Sequence, residues 1–320
     1  MSTQAQGSEA QTLIGFESNY GETPGSPSMY KVPIITNNVE SEQNLNEDET
    51  IRDSKNPAKP TRGNINVSGD VEFYIDKANI GLWLKALFGA PTTTDDGDDG
   101  LDVEHVYKIS SGQPSLFMEK GFTDIASYHV FNGLKVSNFS TEFGGEGDVR
   151  GTVSLIGAKE TPDTSSIASS PTELAYDKYS QFEASIQEGG SDIAIVTNTS
   201  LEIDFDLDDN EENYPIGNQG VRGQLPEGIA NITGNLTAWF TDQSLLDKAI
   251  NGTESSLKFT LTKSSHSLEF YIPEVMFEQT TPPIDGPQGV MIELPYRAYM
   301  EDNAENTALK TTLVNDQASY

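Results

Sequence analysis

Cysteine is absent from the 320-residue chain, and histidine and tryptophan are scarce, with three and two copies. Without cysteine, a disulfide framework, a thiol nucleophile and a thiolate-ligated metal are excluded. The histidines His105, His129 and His266 lie far apart, and no His-x-x-x-His or Glu-x-x-His pair predicts a metal site. No Gly-x-Ser-x-Gly elbow is present either. We therefore expect no catalysis, no metal and no cofactor.

Long apolar runs and basic side chains are also lacking. No stretch approaches the roughly 20 apolar residues of a membrane helix, and residues 1–16 do not resemble a secretory signal, so we expect neither. Nineteen Lys and Arg against fifty Asp and Glu give a formal net charge of −31. This negative charge argues against nucleic-acid binding along the general surface, because such binding needs Lys and Arg side chains to displace counterions. Salt adaptation and a functional role both remain open as reasons for the acidity.

The stretch from Gly63 to Gly89 combines a strand with a helix. Apolar and polar residues alternate up to Ile75, with Gly69 in one inward position, and this pattern is typical of a strand with one buried face. The spacing then becomes helical, with Asp76 or Asn79 as the cap. The apolar face of the helix consists of Ile80, Trp83, Leu84, Leu87 and Phe88.

The same construction returns in the second half. An alternating strand runs from Ile232 to Phe240, with Gly234 at the place that Gly69 holds in the first copy, and a helix capped by Asp242 follows. A strand, a glycine in the same phase and a capped short helix predict an internal duplication. The residues that we assign to the core of this repeated unit are Gly69, Trp83, Gly234 and Trp239.

Short alternating stretches, punctuated by glycines, fill much of the remaining chain and favour a mainly β fold of sandwich or barrel type. The length predicts about two domains. We expect an N-terminal arm at 1–28, a first β domain at 29–160, a linker at 161–175, a second β domain at 176–302 and a C-terminal tail at 303–320. Each β domain is expected to carry one short flanking helix.

The clearest alternation lies at residues 201–208, where apolar residues face carboxylates. The three aspartates Asp204, Asp206 and Asp208 are spaced by two, which on a strand places them about 7 Å apart along one face. Three interpretations of this row stay open: a solvated sheet face, a weak cation site, or a wall that repels polyanions. Counting the first repeat as well, the acidic residues predicted on an outward face are Asp70, Glu72, Glu202, Asp204 and Asp206.

Several segments, spread over most of the chain, carry a family resemblance. They include a Gly-x-Glu-Ser-x-Tyr-Gly opening at 15–21, the strand–helix segment VSGDVEFYIDKANIGLWLKALFG, and GNLTAWFTD and GVMIELPYRAYMED in the second half. In this order they resemble the tail tube (major tail) proteins of long-tailed bacteriophages. The resemblance implies tandem tube-type β-sandwich domains that close edge to edge into rings, and stacked rings that conduct viral DNA through a lumen.

The resemblance also implies a location and partners. The protein would be assembled in the host cytoplasm and reside in the virion tail, with further copies of itself, a tape measure protein, and tail terminator and distal tail proteins as partners. DNA would pass without specific binding, the predicted acidic residues would face the lumen, and no membrane would be contacted. Because simpler tube proteins carry one such domain in six-fold rings, the duplication predicts three chains per ring with pseudo-six-fold symmetry.

Other functions remain as alternatives. The nearest is the inner tube of a contractile tail or of a secretion-like machine. A bacterial surface protein made of β-sandwiches is a second, and it would need a secretion signal. A polysaccharide-active enzyme is a third, and it would need paired carboxylates in an aromatic-lined cleft.

Overall fold

The computed structural model describes residues 4–95, 103–109, 112–193, 195–284 and 286–320. The fold is mainly β, as the sequence predicts. The strands in chain order are β1 (Ala10–Phe16), β2 (Tyr30–Lys31), β3 (Thr36–Asn37), β4 (Glu40–Asn46), β5 (Thr61–Tyr74), β6 (Thr92–Thr94), β7 (Val103–Lys108), β8 (Leu116–Phe122), β9 (Ser127–Gly144), β10 (Arg150–Gly157), β11 (Lys159–Asp163), β12 (Thr172–Glu173), β13 (Ala184–Glu188), β14 (Ser191–Asp192), β15 (Val196–Asp204), β16 (Asn231–Trp239), β17 (Ser255–Lys263), β18 (His266–Phe277), β19 (Met291–Ala298) and β20 (Lys310–Asn315). The two α-helices are α1 (Ile80–Phe88) and α2 (Ser244–Asn251), and 3-10 turns lie at Gly7–Glu9, Gln181–Glu183 and Glu211–Asn213.

Seven antiparallel strands form the main sheet, in the order β4, β5, β10, β9, β15, β16 and β19. Strand β3 also pairs with β5, beside β4. Alternation along these strands turns one face to the core, where Val71, Val153, Phe139 and Ile203 are fully buried. The opposite face carries the polar residues between them, so each strand has one buried and one open side.

A second layer covers the buried face of the main sheet. It consists of β14, β13, β17, β18, β20, β7 and β6, and the end of β18 also pairs with β19, which links the two layers. Aromatic rings meet between the layers: Phe143 stacks on Phe259 with ring centroids 5.3 Å apart, and Phe139 on Phe270 at 6.2 Å. The architecture is therefore a β-sandwich.

A smaller sheet extends from the main one through the long strand β9. Its order is β11, β9, β8, β1, β2 and β12. Gly133 lies where β9 passes between the two sheets and has a φ of 66°. A Cβ at Gly133 would lie 2.8 Å from the Cβ of Ala158, so this bend requires glycine for both its conformation and its space.

Segments predicted as an arm and a tail contribute strands. Within the predicted N-terminal arm at 1–28, β1 pairs with β8 of the same chain, and Leu13 and Ile14 are fully buried. Within the predicted tail at 303–320, β20 instead lies between β18 and β7, with Leu313 fully buried. The polar appearance of 303–320 is misleading because only three side chains of this six-residue strand, Thr311, Leu313 and Asn315, turn to its buried face.

Hydrogen bonds and the core both cross the predicted boundary at 161–175. Strand β9 from the first half pairs with β15 from the second, and one hydrophobic cluster contains residues of both halves. The predicted linker itself supplies part of β11 and all of β12. The division into two domains and the internal duplication stay predictions, and in the folded chain the two halves share one sandwich.

The helix α1 is held by packing. Every residue except Lys85 is buried. One carboxylate oxygen of Asp76, Oδ1, accepts the backbone N–H groups of Ala78 and Asn79 at 2.8 Å, so Asp76 caps the turn that leads into the helix. Gly89 ends it with a φ of 88° and donates its N–H to the Lys85 carbonyl at 2.9 Å.

Candidate functional site

The open face of the main sheet brings the predicted acidic residues of both halves together. One row across the strands contains Asp70, Ser154, Asn138 and Asp204, which lie opposite one another in turn. The next row contains Glu72, Thr152, Ser140 and Glu202. Because three strand spacings separate β5 from β15, the carboxylates of the two halves lie roughly 14 Å apart across the sheet.

This face, which we call the acidic face, is polar in composition between its carboxylates. The positions of β9 and β10 that separate the two acidic strands hold serine, threonine and asparagine side chains. Neighbouring residues of opposite phase, such as Val71 and Ile203, are fully buried. A one-residue slip would exchange the two sets, so the apolar alternation fixes which side chains face outward.

Some of the carboxylates have partners on the acidic face. The guanidinium of Arg150 lies 2.9 Å from a Glu72 oxygen, and its central carbon is 5.3 Å from the centre of the Tyr74 ring. The hydrogen bond to the Glu72 carboxylate raises the pKa of Arg150. The side-chain amide of Asn138 donates to Glu202 at 2.8 Å. Asp70 and Asp204 are exposed to solvent and keep this surface anionic.

The predicted row of three aspartates is only partly correct. Strand β15 ends at Asp204, whose Oδ1 accepts the backbone N–H of Asp206 at 2.8 Å. Asp206 has a φ of 46° and its carbonyl accepts the N–H of Gly228 at 3.0 Å, so it belongs to a turn. Asp208 accepts the backbone N–H of Asn210, which lowers the pKa of the Asp208 carboxyl. Because short polar side chains bond to nearby backbone, they end the strand here.

The four residues assigned to the repeat core have different surroundings. Gly69 and Gly234 each face a backbone carbonyl: an added Cβ would lie 2.6 Å from the Asn38 oxygen and 2.1 Å from the Ser200 oxygen, respectively. Trp83 is buried in α1. Trp239 is 54% exposed, and its assignment to the core is wrong. The alternation of β16 explains this, since Trp239 shares its phase with the outward-facing Asn231.

A buried arginine, missed by the sequence analysis, organises the loop between β15 and β16. Arg222 is 4% exposed and donates to the Gly157 carbonyl at 2.8 Å and to the Tyr214 hydroxyl at 2.9 Å. The loop is tied to β5 by the Ile65 N–H, which donates to the Gly220 carbonyl at 2.8 Å. An open groove of about 1020 Å³ runs between this loop and the β4–β5 hairpin. The sequence feature that could have pointed to this buried residue is a lone arginine in a polar, glycine-rich loop.

The histidines are dispersed, as their sequence positions predict. His129 lies 2.6 Å from a Glu160 oxygen and His266 lies 2.8 Å from an Asp316 oxygen, while the ring of His105 is bonded to the Gln317 carbonyl. No group of three or more acidic or histidine side chains in the described ranges is arranged to hold a metal ion. Neither helix found in the described part of the chain has the length and apolar character of a membrane span.

The family model for the phage tail tube protein matches residues 7–298, which is nearly the whole chain. Comparison with curated protein sequences found no match. Tail tube proteins are structural components of the virion that assemble with other tail proteins into a tube. The chain belongs to the phage tail tube protein family.

Proposed function

We propose that copies of this chain close into rings with the acidic face toward the lumen, and that the stacked rings conduct viral DNA into the host. The observation that carries this proposal is the position of Asp70, Glu72, Glu202 and Asp204 on one face of one sheet. A sheet that continues around a ring presents its open face either to the lumen or to the outside. A lumen lined with carboxylates, serines and threonines offers few cations to DNA phosphates.

Electrostatic repulsion would act over a short range. Two unit charges 4 Å apart in water interact by about 1 kcal/mol, and physiological salt screens charges over about 8 Å. The effect of one carboxylate is therefore small, but it repeats with every ring. Adhesion of DNA to a tube needs lysine or arginine contacts to phosphates. On the acidic face, Arg150 is already hydrogen-bonded to Glu72, and the exposed Arg297 lies in the same row as Glu202, opposite Thr233.

We propose three chains per ring. Each half of the chain supplies a hairpin followed by a helix, namely β4–β5 with α1 and β15–β16 with α2, so one chain offers two similar units to a ring. Three chains then give pseudo-six-fold symmetry. The proposed partners at the ends and inside the tube are tail terminator, distal tail and tape measure proteins, with assembly in the host cytoplasm. A reconstruction with six whole chains around the axis would contradict the three-chain ring.

Charge reversal on the acidic face tests the lumen assignment. We expect virions carrying Asp70→Lys with Asp204→Lys to form tails but to release DNA more slowly, most clearly at low salt, because new lysines bind phosphates. The matched control is Asp247→Lys with Glu301→Lys, which changes charge equally at exposed residues outside this face. Ejection at the normal rate in low salt by the first variant would show that the acidic face points away from the DNA.

A further inference from the structure

The strand pair β9–β15 joins the two halves of the chain. Asn138 lies opposite Asp204, and Ser140 lies opposite Glu202. Beyond them, the Phe205 N–H donates to the Ser137 carbonyl at 2.9 Å. Residues with odd numbers therefore exchange hydrogen bonds across this pair, and residues with even numbers face each other without them. At this junction, β9 at the end of the first half of the chain docks on β15, the outer strand of the β15–β16 hairpin in the second half.

The hairpin strand of the second unit, β15, has a counterpart in the first. Glu42 of β4 lies opposite Asn66, as Asp204 of β15 lies opposite Asn231. The glycines agree with this alignment, because Gly69 faces the Asn38 carbonyl and Gly234 faces the Ser200 carbonyl. Strand β4 thus holds the position in the first unit that β15 holds in the second. Glu40 corresponds to Glu202, and Ser41 corresponds to Ile203.

The docking strand of the first unit, β9, also has a counterpart. Asn138 lies opposite Ser154, which in turn lies opposite Asp70. In the second unit the Glu278 N–H donates to the Pro295 carbonyl at 2.8 Å, and Pro295 lies opposite Asn235. The segment that begins at Glu278 therefore continues from β18 in the position of the second half of β9. Thr280 corresponds to Ser140.

Both counterparts have a free side in the single chain. In the part of the chain that the structure describes, β4 pairs only with β5, and residues 279–284 form no strand. Side chains cover this edge at Val39, just before β4. The Lys120 ammonium donates a hydrogen bond to the Val39 carbonyl, and the Asn37 side-chain oxygen accepts one from the Val39 N–H. A lysine on an edge strand is a common protection against unwanted pairing. Within the described ranges, Ser41 is half-buried and the later residues of β4 are exposed.

We propose that residues 278–280 of one chain pair as an antiparallel strand with residues 40–42 of β4 in a second copy, and that the intrachain β9–β15 junction sets the register. Thr280 lies opposite Glu40 of the second copy, and Gln279 opposite its Ser41. This rests on the proposed ring and names the edges that close it. The sheet then continues from chain to chain with the acidic face on one side throughout.

The backbone directions at the two edges agree with this register. The Asn38 N–H points into the sheet, toward the Asp70 carbonyl, so Ser41 turns its own N–H and C=O to the open side. The Glu278 N–H also points into its sheet, so Gln279 turns outward. Ser41 and Gln279 can therefore exchange two hydrogen bonds, whereas a slip by one residue would oppose a group turned outward to one turned inward.

The register also places like charges together. It brings Glu278 opposite Glu42, where the intrachain junction has Asn138 opposite Asp204. Like charges directly opposite each other weaken strand pairing. Salt screens such repulsion, so assembly through this junction should improve as the salt concentration rises.

Disulfide trapping tests the junction, and the natural chain has no cysteine to interfere. In a pair without mutual hydrogen bonds the Cα atoms lie about 4.5 Å apart, which suits a disulfide. We expect oxidised assemblies of Glu40→Cys with Thr280→Cys to give a ladder of linked chains on a non-reducing gel. Mixing the two single variants should give linked dimers only. Ser140→Cys with Glu202→Cys is the matched intrachain control.

A second pair tests the register. Glu40→Cys with Gln279→Cys points the two thiols to opposite faces of the sheet, so no ladder is expected. Micrographs of the same samples separate the possible failures. Tubes without crosslinks in the Glu40/Thr280 pair would overturn this junction and leave the tail tube function intact, whereas wild-type protein that forms no rings would overturn the proposed function itself.

A charge variant keeps the proposal testable if the cysteine variants do not assemble. Glu278→Gln is expected to shift half-assembly, followed by light scattering, to lower salt because it removes the like charge opposite Glu42. Glu301→Gln removes an exposed carboxylate elsewhere and should leave the midpoint unchanged. An equal midpoint for Glu278→Gln and the wild type would contradict the junction.

Discussion

The two strand–helix units, β5 with α1 and β16 with α2, share a residue pattern but not an environment. In the first unit Trp83 is buried, and its ring stacks on Phe73 with centroids 5.2 Å apart. In the second unit only Leu245 and Ala249 of the helix are buried. Alternation decides which side chains turn inward, whereas cover from other parts of the chain decides how deeply a helix is buried.

The cover over α1 comes from remote residues. The Tyr107 hydroxyl donates to the Gly81 carbonyl at 3.2 Å, and the ring of Tyr320 lies so close that a Cβ on Gly81 would be 2.2 Å from it. Phe88 at the other end meets Phe205, with ring centroids 6.2 Å apart. These neighbours belong to β7, the C-terminal segment and the residue that follows β15, so the burial of α1 depends on the complete fold.

The largest expected contrast is between the two tryptophans. Trp83→Ala should lower the free energy of unfolding by about 3–5 kcal/mol, because it leaves a cavity in the core. Trp239→Ala at its exposed position should change it by about 0.5 kcal/mol or less. Urea unfolding followed by circular dichroism measures both. Equal losses would show that Trp239 is covered in the isolated chain.

The two glycines should behave alike, unlike the tryptophans. Gly69→Val and Gly234→Val each push a side chain against a backbone carbonyl and should cost about 1–3 kcal/mol through overpacking. Gly69 also has a φ of 149°, which adds strain. Gly25→Val, where a Cβ would meet no atom within 4 Å, is the control in the same unfolding experiment. If the two glycine variants are as stable as this control, the neighbouring strands can shift to make room for the valine side chain without a cost in stability.

A smaller difference is expected in the pH dependence of the two helix entries. Burial raises the pKa of Asp76 to about 6, although hydrogen bonds from Ala78 and Asn79 oppose the shift. Because the folded pKa lies above the unfolded value, the stability that Asp76 contributes is fully present below the unfolded pKa and is lost as pH rises through about 6. In the second unit the hydroxyl and N–H of Ser244 lower the pKa of Asp242. Its contribution is present above the unfolded pKa and is lost as pH falls.

Two asparagine variants measure this difference. Relative to the wild type, Asp76→Asn should become more stable as pH rises from about 4 to about 7. Asp242→Asn should become less stable relative to the wild type as pH rises toward about 4 from more acidic values. Denaturant midpoints at a series of pH values give both trends. Parallel trends in the two variants would contradict the different burial of the two carboxylates.

Much of the candidate site could be predicted because strand alternation is local. The outward positions of Asp70, Glu202 and Asp204 follow from period two. Asp206 was misplaced because the Asp204 side chain accepts the backbone N–H of Asp206, and the chain turns there. The buried position of Arg222 was not predictable, since its partners Gly157 and Tyr214 lie in separate parts of the fold.

The sequence by itself determined the mainly β fold, the core-facing side of β5 and of β15 up to Asp204, and the family of the chain. Only the tertiary structure decided that β9 pairs with β15, that β20 enters the second layer, and that both acidic strands share one face. The physical reason is that a side chain's direction along a strand depends on its immediate neighbours. The choice of a partner strand depends on packing and hydrogen bonds between residues far apart in the chain.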